Sequence, residues 1–290
     1  MKKCLGLCLI LALLWSVAAA EAPADSPERF ALTADTAVHL DLNGDGTEES
    51  VLWHCEKVGE YEDESVELTV TSASGDAVTW KSDLLYFGRV YATDLDADGQ
   101  IELFVTGDEM SADYITHCLR YDGTTLTPIP FPDVSRNDEN SGMTDAGYGE
   151  VTAIDGNTIT LTGSQDVLGT YFASRTFALQ DGAFQFADDG LWHVRNDGLS
   201  EEDLWAYRAL TPLKNIPATW IADGVETPGE IPAGEKFTIT TFDKLNTAYF
   251  VTQDGREGRL DIARDTAQGW GWTVNGIPES ELFESVPYAD

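Results

Sequence analysis

Basic residues are scarce in this chain: 17 lysines and arginines stand against 51 aspartates and glutamates, a net charge of −34 over 290 residues. Nucleic-acid binding relies on lysine and arginine to neutralise phosphates, so the composition argues against a nucleic-acid partner. Anionic lipid is disfavoured for the same reason. Hydrophobic residues (42%) and aromatic residues (10%) still suffice for packed cores, and we therefore expect a folded chain with a solvated acidic surface.

The sequence also lacks recognisable catalytic motifs. It has no H-E-x-x-H pattern, no G-x-S-x-G elbow, no phosphate-binding loop and no G-x-G-x-x-G. Acidic residues such as Glu62, Asp63 and Glu64 are so dense that spacing cannot single out a glycosidase pair. We predict a non-catalytic protein. The alternative is a hydrolase of an envelope polysaccharide or peptidoglycan that uses an unidentified acidic pair.

Hydrophobic runs of membrane-spanning length are absent, but the first 20 residues have the pattern of a signal peptide. Lys2 and Lys3 precede an apolar run that is short for a membrane span, and three alanines follow as a cleavage site before Glu21. An uncleaved membrane anchor is the alternative. Cleavage would leave no integral membrane span and would leave 15 basic residues against 51 acidic ones. We expect a secreted or cell-surface protein.

Cysteine is rare, with four in the chain, and Cys4 and Cys8 fall inside the predicted signal peptide. The remaining two, Cys55 and Cys118, lie in strand-like runs. One disulfide between neighbouring strands and two buried free thiols both remain open, because a single pair is not a disulfide framework.

Two acidic loops, DLNGDGTEE (Asp41 to Glu49) and DLDADGQIE (Asp94 to Glu102), recur 53 residues apart. Oxygen-bearing residues at positions 1, 3 and 5, glycine at position 6 and a carboxylate at position 9 suit a small hard cation such as calcium. An EF-hand needs a carboxylate at position 12, where these loops have Leu52 and Val105, so both loops fail as EF-hands. Metal-free Asp/Asn/Gly turns are the alternative, but several charged oxygens converging on one point without a cation would repel one another strongly.

The stretch YFGRVYATDLDADGQIELFVTG resembles the FG-GAP/VCBS repeat family, in which a loop of this kind leads into a buried strand. The resemblance implies calcium held between two strands of a propeller blade, at two sites in this chain. It also implies the ligands, which are side chains except for the carbonyls of Thr47 and Gln100: Asp41, Asn43, Asp45, Thr47 and Glu49 in the first loop, and Asp94, Asp96, Asp98, Gln100 and Glu102 in the second. Ala97 departs from the glycine common at position 4.

Short strands separated by Gly, Asp and Asn turns predict an all-β fold up to about Arg195. About four strands per repeat unit is typical of a propeller blade, and a third unit ending in SRTFALQDGAFQFA lacks an acidic loop. We expect a partial β-propeller-like or sandwich repeat domain. The predicted segments are a signal peptide (1–20), a linker (21–28), the repeat domain (29–195), a helical linker (196–210) and a C-terminal domain (211–290).

The C-terminal stretch GEIPAGEKFTITTFDKLNTAYFVTQDGREGRLDI resembles a bacterial SH3-like domain, which implies a small β-barrel, with a closing C-terminal helix expected after it. Tyr249 or Phe250 matches the aromatic residue that the family has before its hairpin strand. Trp220, Trp270 and Trp272 could line a groove, although core packing is the simpler interpretation. Cell-wall glycan, peptidoglycan peptide or another surface protein are the expected partners, and binding or adhesion at the envelope or outside it is the expected role.

Overall fold

The computed structural model describes residues 26–58, 63–82, 85–132, 143–267 and 271–288. The predicted signal peptide (1–20), most of the predicted linker, Glu62 and Trp270 lie outside these ranges. Within them, no helix is long and apolar enough to span a bilayer. The predicted all-β class is confirmed, because 24 strands are arranged in three large sheets and one two-stranded sheet, and every pair is antiparallel.

The first repeat is a four-stranded sheet in chain order. It follows a 3-10 turn (Pro27–Phe30) and a short strand, β1 (Ala31–Leu32). Alternation sets its inner face: Val66, Leu68 and Val70 are buried, whereas the residues between them are partly exposed. The strands are β2 (Val38–Leu40), β3 (Glu49–Val58), β4 (Asp63–Thr71) and β5 (Ala77–Lys81).

The second repeat is also an antiparallel meander, and its second strand is buried along its whole length because sheets cover both of its faces. Its strands are β6 (Tyr86–Thr93), β7 (Glu102–Asp108), β8 (Tyr114–Tyr121) and β9 (Leu126–Pro128). Three short strands follow, of which the first two pair with each other and the third pairs with β8: β10 (Phe131–Pro132), β11 (Met143–Thr144) and β12 (Ala146–Tyr148).

A third four-stranded meander corresponds to the predicted third unit, the one that lacks an acidic loop. Its strands are β13 (Glu150–Asp155), β14 (Thr158–Asp166), β15 (Thr170–Gln180) and β16 (Ala183–Phe186). Gly156 and Asn157 alone connect β13 to β14, at the place where the first two units have their acidic loops. The short β17 (Trp192–Val194) then pairs with β15.

The C-terminal strands continue the sheet of the third repeat, because β17 also pairs with β20. Their hydrogen-bonded order is β17–β20–β21–β22–β18–β19, and β23 pairs with β22 and β24. The elements are α1 (Glu201–Tyr207), β18 (Ile216–Ala222), β19 (Val225–Ile231), β20 (Phe237–Phe242), β21 (Thr247–Thr252), β22 (Glu257–Arg264), β23 (Trp272–Val274), β24 (Ile277–Pro278) and α2 (Glu279–Leu282). Among the described residues these strands form no closed barrel and the repeats form no propeller ring, so the expected small SH3-like barrel is not seen as a closed unit.

Three hydrophobic cores lie in series along the chain. One joins the first and second repeats, around Leu68 and Val105, and the next joins the second and third repeats, around Phe104 and Phe177. The last joins the third repeat to the C-terminal strands, with Trp192 between them. The tail returns to the third repeat, where the Thr170 N–H donates to the Pro287 carbonyl at 3.1 Å.

Both helices lie within the segments where the sequence predicts them, α1 in the helical linker and α2 near the C-terminal end. The Ser200 hydroxyl caps α1 by accepting a hydrogen bond from the Asp203 N–H at 3.1 Å. Leu282 and Phe283 are buried. Trp272 is fully buried, which agrees with core packing rather than a groove lining for this residue. Phe250 is nearly fully buried and also contributes to the lining of a cavity on the C-terminal strands.

Both cysteines of the described chain are free thiols, which rules out the disulfide alternative in this structure. Cys118 is buried, which agrees with the alternative of two buried free thiols. Cys55 is exposed, so that alternative is wrong for this residue. It lies on β3 near the side chain of Val66 and the backbone of Gly88, and partial burial raises the pKa of its thiol.

Candidate metal centre

The two acidic loops occupy the same place in successive repeats: the first joins β2 to β3 and the second joins β6 to β7. A buried leucine at position 2, Leu42 or Leu95, anchors each loop to a core. The position-9 glutamate that begins the next strand reaches back to this leucine. The Leu42 N–H donates to Glu49 Oε2 at 3.0 Å, and the Leu95 N–H donates to Glu102 Oε2 at 2.8 Å.

The carboxylates at positions 1 and 5 are held by the loop backbone in the same way in both repeats. The position-6 amide donates to the position-1 aspartate, with Gly46 2.8 Å from Asp41 Oδ2 and Gly99 3.0 Å from Asp94 Oδ2. The position-7 amide donates to the position-5 aspartate in the same manner, at 2.7 Å from Thr47 to Asp45 and at 2.8 Å from Gln100 to Asp98. The loops therefore share these hydrogen bonds, but the position-5 amide differs: it donates to Asn43 Oδ1 in the first loop and to Asp94 Oδ1 in the second.

Backbone conformation explains the glycine pattern and its one departure. Position 4 is left-handed in both loops, with φ +72° at Gly44 and +59° at Ala97, and position 6 is left-handed with φ +86° at Gly46 and +89° at Gly99. Glycine adopts such angles without cost, whereas alanine is strained there. Ala97 thus keeps the geometry of the loop at some expense in backbone strain.

The two loops touch each other. The Ile101 N–H of the second loop donates to the Leu42 carbonyl of the first at 2.9 Å. Gly44 packs on the Gly99 carbonyl oxygen so closely that a Cβ on Gly44 would lie 2.8 Å from it. Both candidate sites therefore lie side by side at one edge of adjacent sheets.

The second loop brings three carboxylates together. Oxygens of Asp94, Asp96 and Asp98 all lie within 4.8 Å of one another. Arg120, on β8, approaches the same group: its Nη2 lies 3.3 Å from Asp96 Oδ2 and its Nη1 lies 3.5 Å from Asp98 Oδ2. Arg120 also donates to Glu102 Oε1, with its Nε at 3.0 Å. Burial raises the pKa of Glu102, although the Leu95 and Arg120 hydrogen bonds oppose this shift.

In the first loop Asn43 and Asp45 hydrogen-bond to each other, but among the described residues its carboxylates do not form a close group of three like that of the second loop. The Asp45 N–H donates to Asn43 Oδ1 at 3.1 Å, and Asn43 Nδ2 donates to Asp45 Oδ2 at 3.2 Å. The hydrogen bond from the Thr47 N–H is the main cause that lowers the pKa of Asp45, so this carboxyl is ionised at neutral pH. Glu49 is buried at the inner end of the loop.

Unpartnered oxygens indicate that these residues fit a cation. Asp41 Oδ1 and Asp96 Oδ1 are buried and have no hydrogen-bond partner among the described residues. A buried carboxylate oxygen without a partner is costly, and a bound cation would remove that cost. The donor set of carboxylate, amide and carbonyl oxygens is the one that calcium prefers.

One further set of metal-type ligands was not predicted. Asp188 and Asp189 lie on the connection from β16 to β17 and His193 lies in β17, with ligand atoms within 4.8 Å of one another. His193 Nε2 lies 3.2 Å from Asp189 Oδ1, and the amides of the same connection hold the carboxylates. The adjacent aspartates of DDGLWH were the available signal, but they do not resemble the two repeated loops.

Comparisons of the chain with family models, with curated proteins and with solved structures found no match.

Proposed function

We propose that this chain is an exported, non-catalytic, calcium-binding β-repeat protein that acts as a binding or adhesion module at the cell envelope or outside it. The observation that carries the proposal is the pair of equivalent acidic loops in contact at one sheet edge. Each loop has ligand-type oxygens held by its own backbone, and each has one buried aspartate oxygen without a partner among the described residues.

Calcium is proposed at both loops. The ligands would be Asp41, Asn43, Asp45, Thr47 and Glu49 in the first, and Asp94, Asp96, Asp98, Gln100 and Glu102 in the second. A bound ion supplies charge neutralisation where several carboxylates meet, and it thereby fixes the junction of two strands. Extracellular sites of this kind bind with dissociation constants on the order of 10⁻⁴–10⁻³ M, which keeps them filled outside cells.

The finer architecture belongs to the same proposal. Three four-stranded meanders packed through successive cores support a partial propeller-like stack, with each repeat in the place of a blade. The strand path β20–β21–β22–β18–β19 supports an open SH3-like unit at the C-terminal end. We interpret the whole as a rigid β scaffold that displays its connecting loops.

A candidate contact surface lies on the C-terminal strands. A cavity of about 230 Å³ there is lined by Ile221, Tyr249 and Glu257, among others. Trp220 is half-buried nearby on β18, with the Arg256 guanidinium 4.4 Å from its ring centre. Aromatic faces beside polar groups suit glycans and peptides, and they support the expected partner classes of cell-wall glycan, peptidoglycan peptide or surface protein.

The metal part is tested by thermal unfolding in calcium chloride and in EDTA. At 10 mM calcium, a site with the affinity given above stabilises by about 1.4–2.7 kcal/mol, so two sites together add about 3–5 kcal/mol. We expect calcium to raise the melting temperature by several degrees and EDTA to abolish the gain. Asp45→Asn and Asp98→Asn should each remove part of it. A melting temperature that is the same in calcium chloride and in EDTA would contradict calcium binding.

The binding role is tested by cosedimentation with purified cell wall and with envelope polysaccharides, with and without calcium. Calcium-dependent retention supports the proposal. Release of soluble fragments from these polymers, abolished by a single Asp or Glu substitution, would instead establish the hydrolase alternative. No retention on any polymer would contradict an envelope-binding role.

A further inference from the structure

The two acidic loops differ in one respect that their sequences conceal. The second loop has a guanidinium beside it, whereas none of the described residues places one beside the first loop. Arg120 comes from β8, 18 residues after Glu102, so only the strand register brings the two together. None of the described ion pairs involves Asp41, Asp45 or Glu49 of the first loop.

The register identifies the equivalent position in the first repeat. β7 pairs with β8 through Leu103 and Leu119, and one step further along the ladder Glu102 faces Arg120. β3 pairs with β4 through Ser50 and Thr71, so the same step places Ser72 opposite Glu49. The Ser72 hydroxyl takes part in the next turn, where it accepts from the Asp76 N–H at 3.2 Å.

In each loop, the residue opposite the position-9 glutamate matches the number of carboxylates. The first loop has three carboxylates and the amide of Asn43 at positions 1, 3, 5 and 9, with Ser72 opposite. The second loop has four carboxylates, because Asp96 replaces the amide, with Arg120 opposite. Both clusters therefore carry the same formal net charge before any metal binds, but in the second one a cation from the protein is already in contact with three of the acids.

Contact with Arg120 also occupies ligand atoms. Both carboxylate oxygens of Glu102 are engaged, Oε1 by Arg120 and Oε2 by the Leu95 N–H. Asp96 and Asp98 each direct one oxygen at the guanidinium. In the first loop, no guanidinium competes for Glu49 within the described part of the chain. A divalent ion entering the second loop has fewer oxygens available to it and is repelled by a neighbouring positive charge.

We infer that Arg120 is an internal counter-cation of the second loop. The first loop is therefore the stronger calcium site, and calcium binding to it contributes more to the stability of the protein than binding to the second. The inference rests on the proposed function, since it ranks the two proposed sites. Its metal-free consequence is independent: without Arg120, four converging carboxylates lose their only neighbouring cation among the described residues, and the calcium-free protein is destabilised.

The test is calcium titration by calorimetry on single variants of the whole protein. In the wild type, we expect two sites at least about tenfold apart in dissociation constant, with the stronger lost in Asp45→Asn and the weaker lost in Asp98→Asn. Arg120→Gln should strengthen the weaker site by about tenfold or more, because a hydrogen-bonded charge pair contributes to affinity on that scale. Arg259→Gln is the matched control, since Arg259 pairs with Glu226 and Asp261 in the C-terminal strands.

The reciprocal variant adds a cation where the described residues place none. Ser72→Arg should weaken the stronger site by about tenfold, and Ser72→Ala controls for the lost turn hydrogen bond. This variant decides the matter even where Arg120→Gln does not fold. Thermal unfolding in EDTA gives the metal-free measurement: Arg120→Gln should melt lower than wild type and gain more from calcium.

Three results overturn the inference. The stronger site could disappear in Asp98→Asn, Arg120→Gln could leave the second loop within twofold of wild type, or Ser72→Arg could leave the first loop unchanged. Two equal sites that ignore Arg120 would refute this inference alone and leave the proposed function standing. Absence of calcium binding in the wild type would refute both.

Discussion

Gly44→Ala is expected to separate the two acidic loops. Gly44 has φ +72°, and a Cβ at this position would lie 2.8 Å from the Gly99 carbonyl oxygen. The obstacle is backbone, which cannot rotate away as a flexible side chain could. The loops must therefore move apart to remove the clash. That movement would stretch or break the hydrogen bond from the Ile101 N–H to the Leu42 carbonyl, which joins the two loops.

The magnitude follows from two contributions that a control variant can divide. A left-handed alanine costs about 1–2 kcal/mol, and forcing an extra methyl group into a packed contact costs about 1–3 kcal/mol more. Gly46 is the matched control, because it has φ +86° and no atom within 4 Å of its Cβ position. We expect Gly46→Ala to lose about 1–2 kcal/mol in free energy of unfolding and Gly44→Ala about 2–5 kcal/mol.

Urea unfolding followed by tryptophan fluorescence measures both variants, with EDTA present so that metal binding does not contribute. The difference between the two free energies of unfolding isolates the contact between loops. A difference below about 0.5 kcal/mol would refute the close packing of Gly44 on Gly99, because a contact that tight cannot accept a methyl group without cost.

Two further predictions concern buried groups. Burial raises the pKa of Glu279, whose two carboxylate oxygens share the one O–H donor of Tyr288. The contribution of Glu279 to stability is therefore complete below its ordinary pKa of 4.5 and is lost as the pH rises through the raised value. In urea unfolding, the stability of Glu279→Gln relative to wild type should therefore increase between pH 4 and pH 7, whereas that of Tyr288→Phe should not. A difference in free energy of unfolding between Glu279→Gln and wild type that stays constant over this range would contradict the raised pKa of Glu279. Burial raises the pKa of the Cys118 thiol, whereas Cys55 is exposed. A thiol reagent should thus modify Cys55 in the folded protein and Cys118 after denaturation, and rapid labelling of both would contradict the packing.

Local patterns predicted the parts of the fold that depend on neighbouring residues. Turn residues located hairpins such as the one at Asp181, and the serine-to-aspartate spacing located the start of α1 at Ser200. The acidic loops were found because their residues lie within nine positions of one another. Their shared hydrogen bonds are equally local, so each loop adopts its form from its own sequence.

Features that depend on strand register could not be predicted in this way. Arg120 reaches Glu102 from another strand, and Gly44 meets Gly99 across two repeats. Cys55 lies on the same face of β3 as the buried Val51 and Trp53, so neither strand-like character nor alternation predicts its exposure. The pairing of β17 with both β15 and β20 is also a long-range contact, and the sequence around β17 does not indicate it.

The position of β17 has a consequence for modularity. A fragment ending at residue 195 would lack β20, and its own last strand would become an open edge. Trp192, now fully buried against the C-terminal strands, would face solvent together with Tyr171 of β15. Such a fragment is expected to self-associate through this edge. Another C-terminal unit could therefore not simply replace these strands. It would have to provide a strand that pairs with β17 and side chains that cover Trp192.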